Sequence, residues 1–319
     1  MNYIKFNLKK NFFLIFLSFF FSILFFNDQV AVRGGLIISN EVEFSNEISP
    51  LKFYFLNSWT LLTQTAAALL KFGFSTKIVS FILVFILNII LFYSCFLLLN
   101  KFTNHFLLSL IICLFLIFFQ KNLGDTDYPS LIFTIHTFGA YSQAFLGLII
   151  TSLIYNQLKL SIFFSFLLFA IHPIIGIWVI AILLTLALFL KEIPDLKKLI
   201  IYTAPGLILI AVSLSFFLFT SLETSPYDQN LFDVYIDKWD GHRAKTSYIH
   251  LEYIFKSIIL LFVINFFIEN KKKYKFLIYF LNSLIISSIL IYFIFKFFNL
   301  NSYGLLSSII PGRFMITYT

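Results

Sequence analysis

The sequence predicts an all-α fold, a polytopic transmembrane helical bundle of about nine spans, in one transmembrane domain over residues 1–319. Three observations predict it. Hydrophobic residues make up 60% of the chain and the mean hydropathy is +0.93, against roughly 45–50% apolar residues in soluble domains. Charged residues are 12% of the chain, about half the usual share, too few to cover a soluble core. Most of the 20 lysines fall between long apolar runs, where positive charge marks the cytoplasmic connections of a membrane protein.

The chain opens on the basic segment MNYIKFNLKKN, followed by 15 apolar residues at 12–26. A cleavable signal peptide shares this pattern, but Asn27, Asp28 and Gln29 follow in place of a small-x-small cleavage site. The segment therefore reads as an uncleaved first span. Further apolar runs fall at 78–99, 106–119, 131–155, 160–190, 199–220, 253–268 and 277–298, near the roughly 20 residues that a bilayer requires.

The run at 160–190 is too long for one ordinary span, and His172-Pro173 interrupts it. Proline removes a backbone donor and pushes the preceding residue out of the helical region. The segment is thus either one kinked helix or a hairpin of two short ones, and charge separates the two. With a hairpin, the connections 100–105, 156–160, 191–198 and 269–275 share the cytoplasmic side with the N-terminus, and 12 of the 20 lysines lie there. A single kinked span would carry the run from Lys271 to Lys275 outside, so the hairpin is expected. Its first arm of ~13 residues spans only roughly 20 Å, which leaves a re-entrant segment open.

The outer side then receives the long connections 27–77 and 221–252, a short turn at 120–130, and the residues after 298. Within the first connection, 51–72 is apolar but studded with Asn, Thr, Gln and Lys. It predicts an interfacial helix along the membrane with Trp59 as its anchor. A tenth span there would invert everything downstream. The chain shows no internal repeat, and it closes on IIPGRFMITYT without a basic tail, as a truncated chain would.

The net charge of +8 invites a nucleic-acid partner. The lysines track the ends of apolar runs, however, so the expected partner is the lipid bilayer and no nucleic acid is expected. Cys95 and Cys113 both lie inside apolar runs, which speaks against a structural disulfide or a metal cluster.

The residues fit for chemistry gather outside. A chain with 20 lysines uses three arginines, Arg33, Arg243 and Arg313, and all three fall on the expected outer face. Lysine supplies charge equally well, whereas arginine adds a planar fork that holds phosphate or carboxylate bidentately. Pairing with local acids such as Glu41, Asp237 or Asp240 is the alternative. Asp28 follows the first span directly, Glu41 and Glu43 form Glu-Val-Glu, and Asp125 and Asp127 form Asp-Thr-Asp. Carboxylates two apart can share a divalent cation or divide base and metal roles, although such pairs are more often solvated loop acids. The stretch 230–250 adds Asp233, Asp237, Asp240, His242, Arg243 and His250. His136 and His172 sit within apolar runs, where polar groups are expensive and face a cavity or a partner; a histidine bonded to a neighbouring carbonyl is the bland alternative. One outer site is expected to draw together Asp28, Arg33, Asp125, Asp127, His136, His172, Asp240, His242, Arg243 and Arg313, beside Glu41 and Glu43.

That layout resembles the GT-C fold of integral-membrane glycosyltransferases. Those enzymes carry an essential acid in the first extracytoplasmic loop just after the first span, membrane-parallel helices in the same loop, and a polyprenyl-phosphate sugar as donor. The resemblance implies that Asp28 is the loop acid, as general base or metal ligand, with Glu41 and Glu43 as looser matches and 51–72 as the parallel helix. It covers the layout of about the first 190 residues. Here no Asp-x-Asp or Glu-x-Asp occurs in the first loop. The function it implies is sugar transfer from a lipid-linked sugar donor at the outer face of a bacterial inner membrane, the N-terminus being cytoplasmic. Alternatives are a transporter or flippase of a lipid-linked or anionic solute, which would carry paired broken helices, and a protein resembling O-antigen polymerases or ligases, whose large Arg- and His-bearing outer loop would be 221–252.

Overall fold

A computed structural model of the chain describes residues 8–24, 32–42, 49–123, 138–220, 228, 230–231, 234, 251–268, 270–298 and 314. Among them there are helices and no strand. The twelve helices are α1 (Leu8–Leu24), α2 (Arg33–Ile38), α3 (Pro50–Leu56), α4 (Leu61–Lys71), α5 (Thr76–Thr103), α6 (Phe106–Leu123), α7 (Phe138–Ile154), α8 (Leu158–Ile171), α9 (Pro173–Phe189), α10 (Leu196–Thr220), α11 (Leu251–Phe267) and α12 (Lys275–Phe297). Each expected apolar run forms a helix within its described residues, the 160–190 run contributing both α8 and α9.

Three helices are long and apolar enough to cross a membrane: Thr76–Thr103, Leu196–Phe219 and Lys275–Phe297. Six further apolar helices are shorter, from 10 to 17 residues. Phenylalanine and isoleucine cover their outward faces; Phe12, Phe16, Phe115, Phe118, Phe262 and Phe266 are all exposed. Greasy surface on this scale is what lipid, and not water, tolerates. The chain is a helical membrane protein.

Helix ends follow local chemistry. Ser75 caps α5 by accepting from the Ile78 N–H at 3.4 Å, and Asn104, left-handed at φ 52°, ends the same helix. Such capping satisfies donors and carbonyls that have no partner within the helix. Pro50 and Pro173 stand at the first position of α3 and α9, where the missing N–H costs nothing. Gly73 turns the chain out of α4 at φ +86°.

α8 is the hub. It packs on α7, α9 and α10 and touches α4, while α5 gathers α1, α4, α6 and α7. At His172 the chain folds back. A Cβ on Gly176 would lie 2.3 Å from the Phe169 Cα, whereas residues seven apart in a straight helix are separated by about 10 Å. A Cβ on Gly206 would likewise lie 2.6 Å from Phe166 Cβ and 2.7 Å from its carbonyl carbon. Two helices therefore meet α8 backbone to backbone, the close approach that small residues permit in membranes.

The register follows from hydrogen bonds between helices. Tyr141 Oη donates to the Leu83 carbonyl and Tyr155 Oη to that of Leu97 at 3.2 Å, so α5 and α7 run parallel. Ser161 Oγ donates to the Ile149 carbonyl at 3.3 Å, closing the α7–α8 hairpin. Asn265 and Asn282 exchange reciprocal amide bonds of 3.0 Å between α11 and α12.

The structure departs from the sequence expectation in the first long connection. The single interfacial helix expected over 51–72 is two, α3 and α4, split at 57–60, and α2 precedes them. The break has a local cause: Asn57 Nδ2 donates back to the Phe53 carbonyl at 2.9 Å, and Gln64 Nε2 takes the Ser58 carbonyl at 2.8 Å. Gln64 thus takes a carbonyl that a continuous helix would use, while the Asn57 amide adds to the Phe53 carbonyl of α3, which its own backbone N–H already bonds.

The close packing predicts a graded response to adding one methyl group. Gly147→Ala meets only the Ser94 side chain, its Oγ at 3.1 Å and its Cβ at 3.6 Å, and should change stability by less than about 1 kcal/mol. Gly176→Ala and Gly206→Ala overpack a backbone contact and should each cost about 1–3 kcal/mol. Thermal unfolding of the three variants in detergent checks the order, and equal losses would contradict it.

Candidate functional site

Helix direction sorts the connections between two ends of the bundle. With α5 parallel to α7, α8 antiparallel to α7, and α9 folded back on α8, the connections at 104–105, 155–157 and 190–195 share one end. Lys101, Lys159, Lys191, Lys197 and Lys198 stand there. Lys198 reaches Asp195 at 3.8 Å with both side chains more than half exposed, an ion pair worth about 0–1 kcal/mol. Lys101 lies over the Tyr155 ring at 4.7 Å, holding its charge at the helix end.

The opposite end carries His172, the C-terminal turns of α8 and α10, and the helices of the first connection. α4 is wedged there by Thr63, Gln64, Ala66, Ala67 and Leu70, all buried, against α2, α5, α10 and α8. A Cβ on Gly35 of α2 would lie 2.7 Å from Ala66 Cβ, so α2 also rests on α4 through small residues. Trp59 packs edge-on against Phe169, with ring centroids 6.1 Å apart, and its carbonyl accepts from Ser213 Oγ. Its role is to bind the turn between α3 and α4 to α8 and α10. Lysine is present at this end too, at Lys52, Lys71 and Lys77.

A knot of side-chain oxygens forms at that turn. Ser58 Oγ lies 3.0 Å from Thr63 Oγ1 and 3.3 Å from Thr60 Oγ1, and the two threonine hydroxyls are bonded to each other. Sequence reading saw in these residues only the polar studding of an interfacial helix. The available signal was their spacing: Thr63 and Gln64 fall on the buried face of α4, three and four residues after Thr60 at its N-cap.

Three of the expected site residues are described. Arg33 opens α2 and is exposed; Glu41 follows α2, also exposed, its N–H donating to the Leu36 carbonyl at 3.0 Å. No ion pair joins the two among the described residues. His172 is 6% exposed and serves the α8–α9 junction with three groups. Its N–H donates to the Leu168 carbonyl at 2.7 Å, its carbonyl accepts from Gly176 at 2.9 Å, and Nδ1 accepts from the Ile175 N–H at 3.4 Å. An accepting Nδ1 requires that this nitrogen be unprotonated, so His172 acts as a helix cap. Asp28, Glu43, Asp125, Asp127, His136, Asp240, His242, Arg243 and Arg313 lie outside the described residues. Among the described residues, no cluster of His, Cys, Asp and Glu is placed to hold a metal ion.

Compared with known proteins, the chain matches no family, no curated protein and no solved structure.

The capping geometry predicts that His172→Ala lowers stability by about 1 kcal/mol, and that His172→Asn, which retains a cap acceptor, recovers much of it. Chemical denaturation in mixed micelles measures both. Equal destabilisation by Ala and Asn would remove the capping role.

Proposed function

We propose that this protein is an integral-membrane glycosyltransferase of GT-C-like layout, using a polyprenyl-phosphate-linked sugar on the extracytoplasmic face of a bacterial inner membrane. The observation that carries the reading is the docking of the first connection. α2, α3 and α4 follow the first apolar helix and are fastened by Trp59 and Ser213 to the end of the bundle opposite the basic turns. The GT-C-like layout calls for such an element in that place, beside the mouth of a lipid-facing site.

In this reading the three long helices and the six shorter ones make nine spans, with α8 and α9 as the His-Pro hairpin. The N-terminus and the turns bearing Lys101, Lys159, Lys191, Lys197 and Lys198 face the cytoplasm. Asp28, directly after α1, is the acid that takes a proton from the acceptor or holds a divalent cation. Arg33, Arg243 and Arg313 are the candidates for the donor phosphate, because a guanidinium matches its geometry. Glu41 and Glu43 are the alternative acids. His172 caps α9 through Nδ1 and stays among the candidate substrate-binding residues.

The test uses purified full-length protein, a polyprenyl-phosphate sugar and a lipid or glycan acceptor. Turnover is expected, and Asp28→Asn should lower it by about 10²–10⁴-fold, the contribution of a positioned general base, while the melting temperature holds. Arg243→Lys should also impair turnover, since a point charge cannot replace the fork. Full activity after replacement of Asp28, Glu41 and Glu43 together would end the first-connection mechanism.

A further inference from the structure

One lysine holds a backbone conformation that glycine or asparagine adopts more readily. α9 closes with the Lys191 N–H on the Leu188 carbonyl at 3.1 Å and the Glu192 N–H on that of Ala187 at 2.9 Å. The left-handed residue of such a closure is usually glycine and sometimes asparagine. Here it is Lys191, at φ 57°. Among the described residues the other left-handed positions are Asn40, Asn104, Asn156 and Gly73, so lysine is the exception. Its Cβ disfavours this conformation. Its ammonium is exposed and joins no carboxylate among the described residues, where the ion pair at this end is Lys198 with Asp195. The position therefore keeps a free positive charge against the preference of its backbone.

The surroundings indicate what meets that charge. α9 and α10 approach α8 through Gly176 and Gly206, so the connection between them, 190–195, crosses the starting end of α8. Lys159 stands in the first turn of α8, and Lys191 and Lys197 stand at the two ends of the crossing. Glu192 is exposed between them, and Asp195 is taken by Lys198, which leaves the stretch positive. The same stretch exposes Leu188, Phe189, Ile193 and Leu196, apolar side chains interleaved with the lysines. Water would leave these four uncovered. A bilayer surface meets both kinds of residue, acyl chains covering the apolar ones and headgroups facing the ammoniums.

We propose that Lys191, with Lys159 and Lys197, binds the phosphate of an individual anionic phospholipid at this end of the bundle. The headgroup supplies the counter-charge that Lys191 lacks, and Leu188 and Phe189, in the last turn of α9, lie where its acyl chains run. Basic sites among membrane helices hold acidic lipids in this way. A general need for positive charge at this end would be met by lysine at any exposed position, with asparagine or glycine left at the turn. The chemistry is the same in either leaflet, so this surface stands apart from the transferase reading.

Melting temperatures of the full-length protein in nanodiscs test it, with phosphatidylcholine alone compared with phosphatidylcholine containing phosphatidylglycerol. The wild type should melt higher in the mixture. Lys191→Gly should melt higher than the wild type in phosphatidylcholine alone, because the left-handed turn is relieved, and should lose most of the rise that phosphatidylglycerol gives. Lys191→Arg should keep that rise. So should Lys71→Gln, which removes the same charge at the opposite end of the bundle. Native mass spectrometry should find phosphatidylglycerol retained by the wild type and lost from Lys191→Gly; Lys191→Asn serves the same comparison if glycine disturbs the turn. Equal rises in the wild type, Lys191→Gly and Lys71→Gln would reduce the effect to diffuse attraction and overturn the site. No rise in the wild type, or an equal rise from inorganic phosphate added to phosphatidylcholine nanodiscs, would overturn the lipid as its occupant.

Discussion

The backbone of α8 is approached on two sides at distances that only glycine allows. Gly176 brings α9 onto Phe169 and Gly206 brings α10 onto Phe166, and these contacts set where every later helix must go. Lipid offers no hydrophobic drive for apolar helices to associate, so close van der Waals packing must supply it. α9 then presents Trp178, whose Nε1 donates to Ser287 Oγ on α12 at 2.9 Å, and α12 holds α11 through the asparagine pair. α10 presents Ser213, which fastens the first connection through the Trp59 carbonyl. The docked end of the bundle therefore depends on α8 being gripped along both flanks.

Polar groups inside the bundle are few and mostly matched. Serine, threonine and tyrosine hydroxyls donate to carbonyls of their own or neighbouring helices, so each buried hydroxyl brings an acceptor that the helix already offers. An average gain of about 0.6 kcal/mol per interhelical bond makes these register marks, with packing as the larger contribution. The α1–α5 seam carries asparagines as well. Asn88 Nδ2 reaches Ser22 Oγ at 3.0 Å, while Asn88 Oδ1 and Asn11 Nδ2 are buried with no hydrogen-bond partner among the described residues.

The apolar runs announced the helices because lipid-facing and buried residues are both apolar, so composition alone marks a segment. The hairpin at His172-Pro173 was legible for a different reason: proline breaks a helix locally, and the lysine distribution requires an extra reversal. The split at 57–60 was not legible, since it falls where Gln64 takes the Ser58 carbonyl that a periodicity argument assigns to the helix. Nor was the role of Trp59. An aromatic flanked by polar residues reads as an interfacial anchor, and only the position of Phe169, 110 residues away in sequence, turns it into a packing contact. His172 is a polar group in an apolar run, and its Nδ1 is satisfied by the Ile175 N–H next to it. The candidate site is less legible than the fold because its acids and arginines stand in connections, where neither periodicity nor packing fixes their mutual placement.

The fold-back of α9 on α8 is the claim on which the account rests, and a distance between their far ends tests it most directly. With Cys95 and Cys113 replaced by serine, spin labels at Lys159→Cys and Lys191→Cys can be measured in nanodiscs by electron paramagnetic resonance. A hairpin holds its helices about 8–10 Å apart, so the labels should be close enough to broaden one another's spectra. A single kinked span would separate them by up to about 48 Å along its length, and a long, resolved distance of that order would contradict the account.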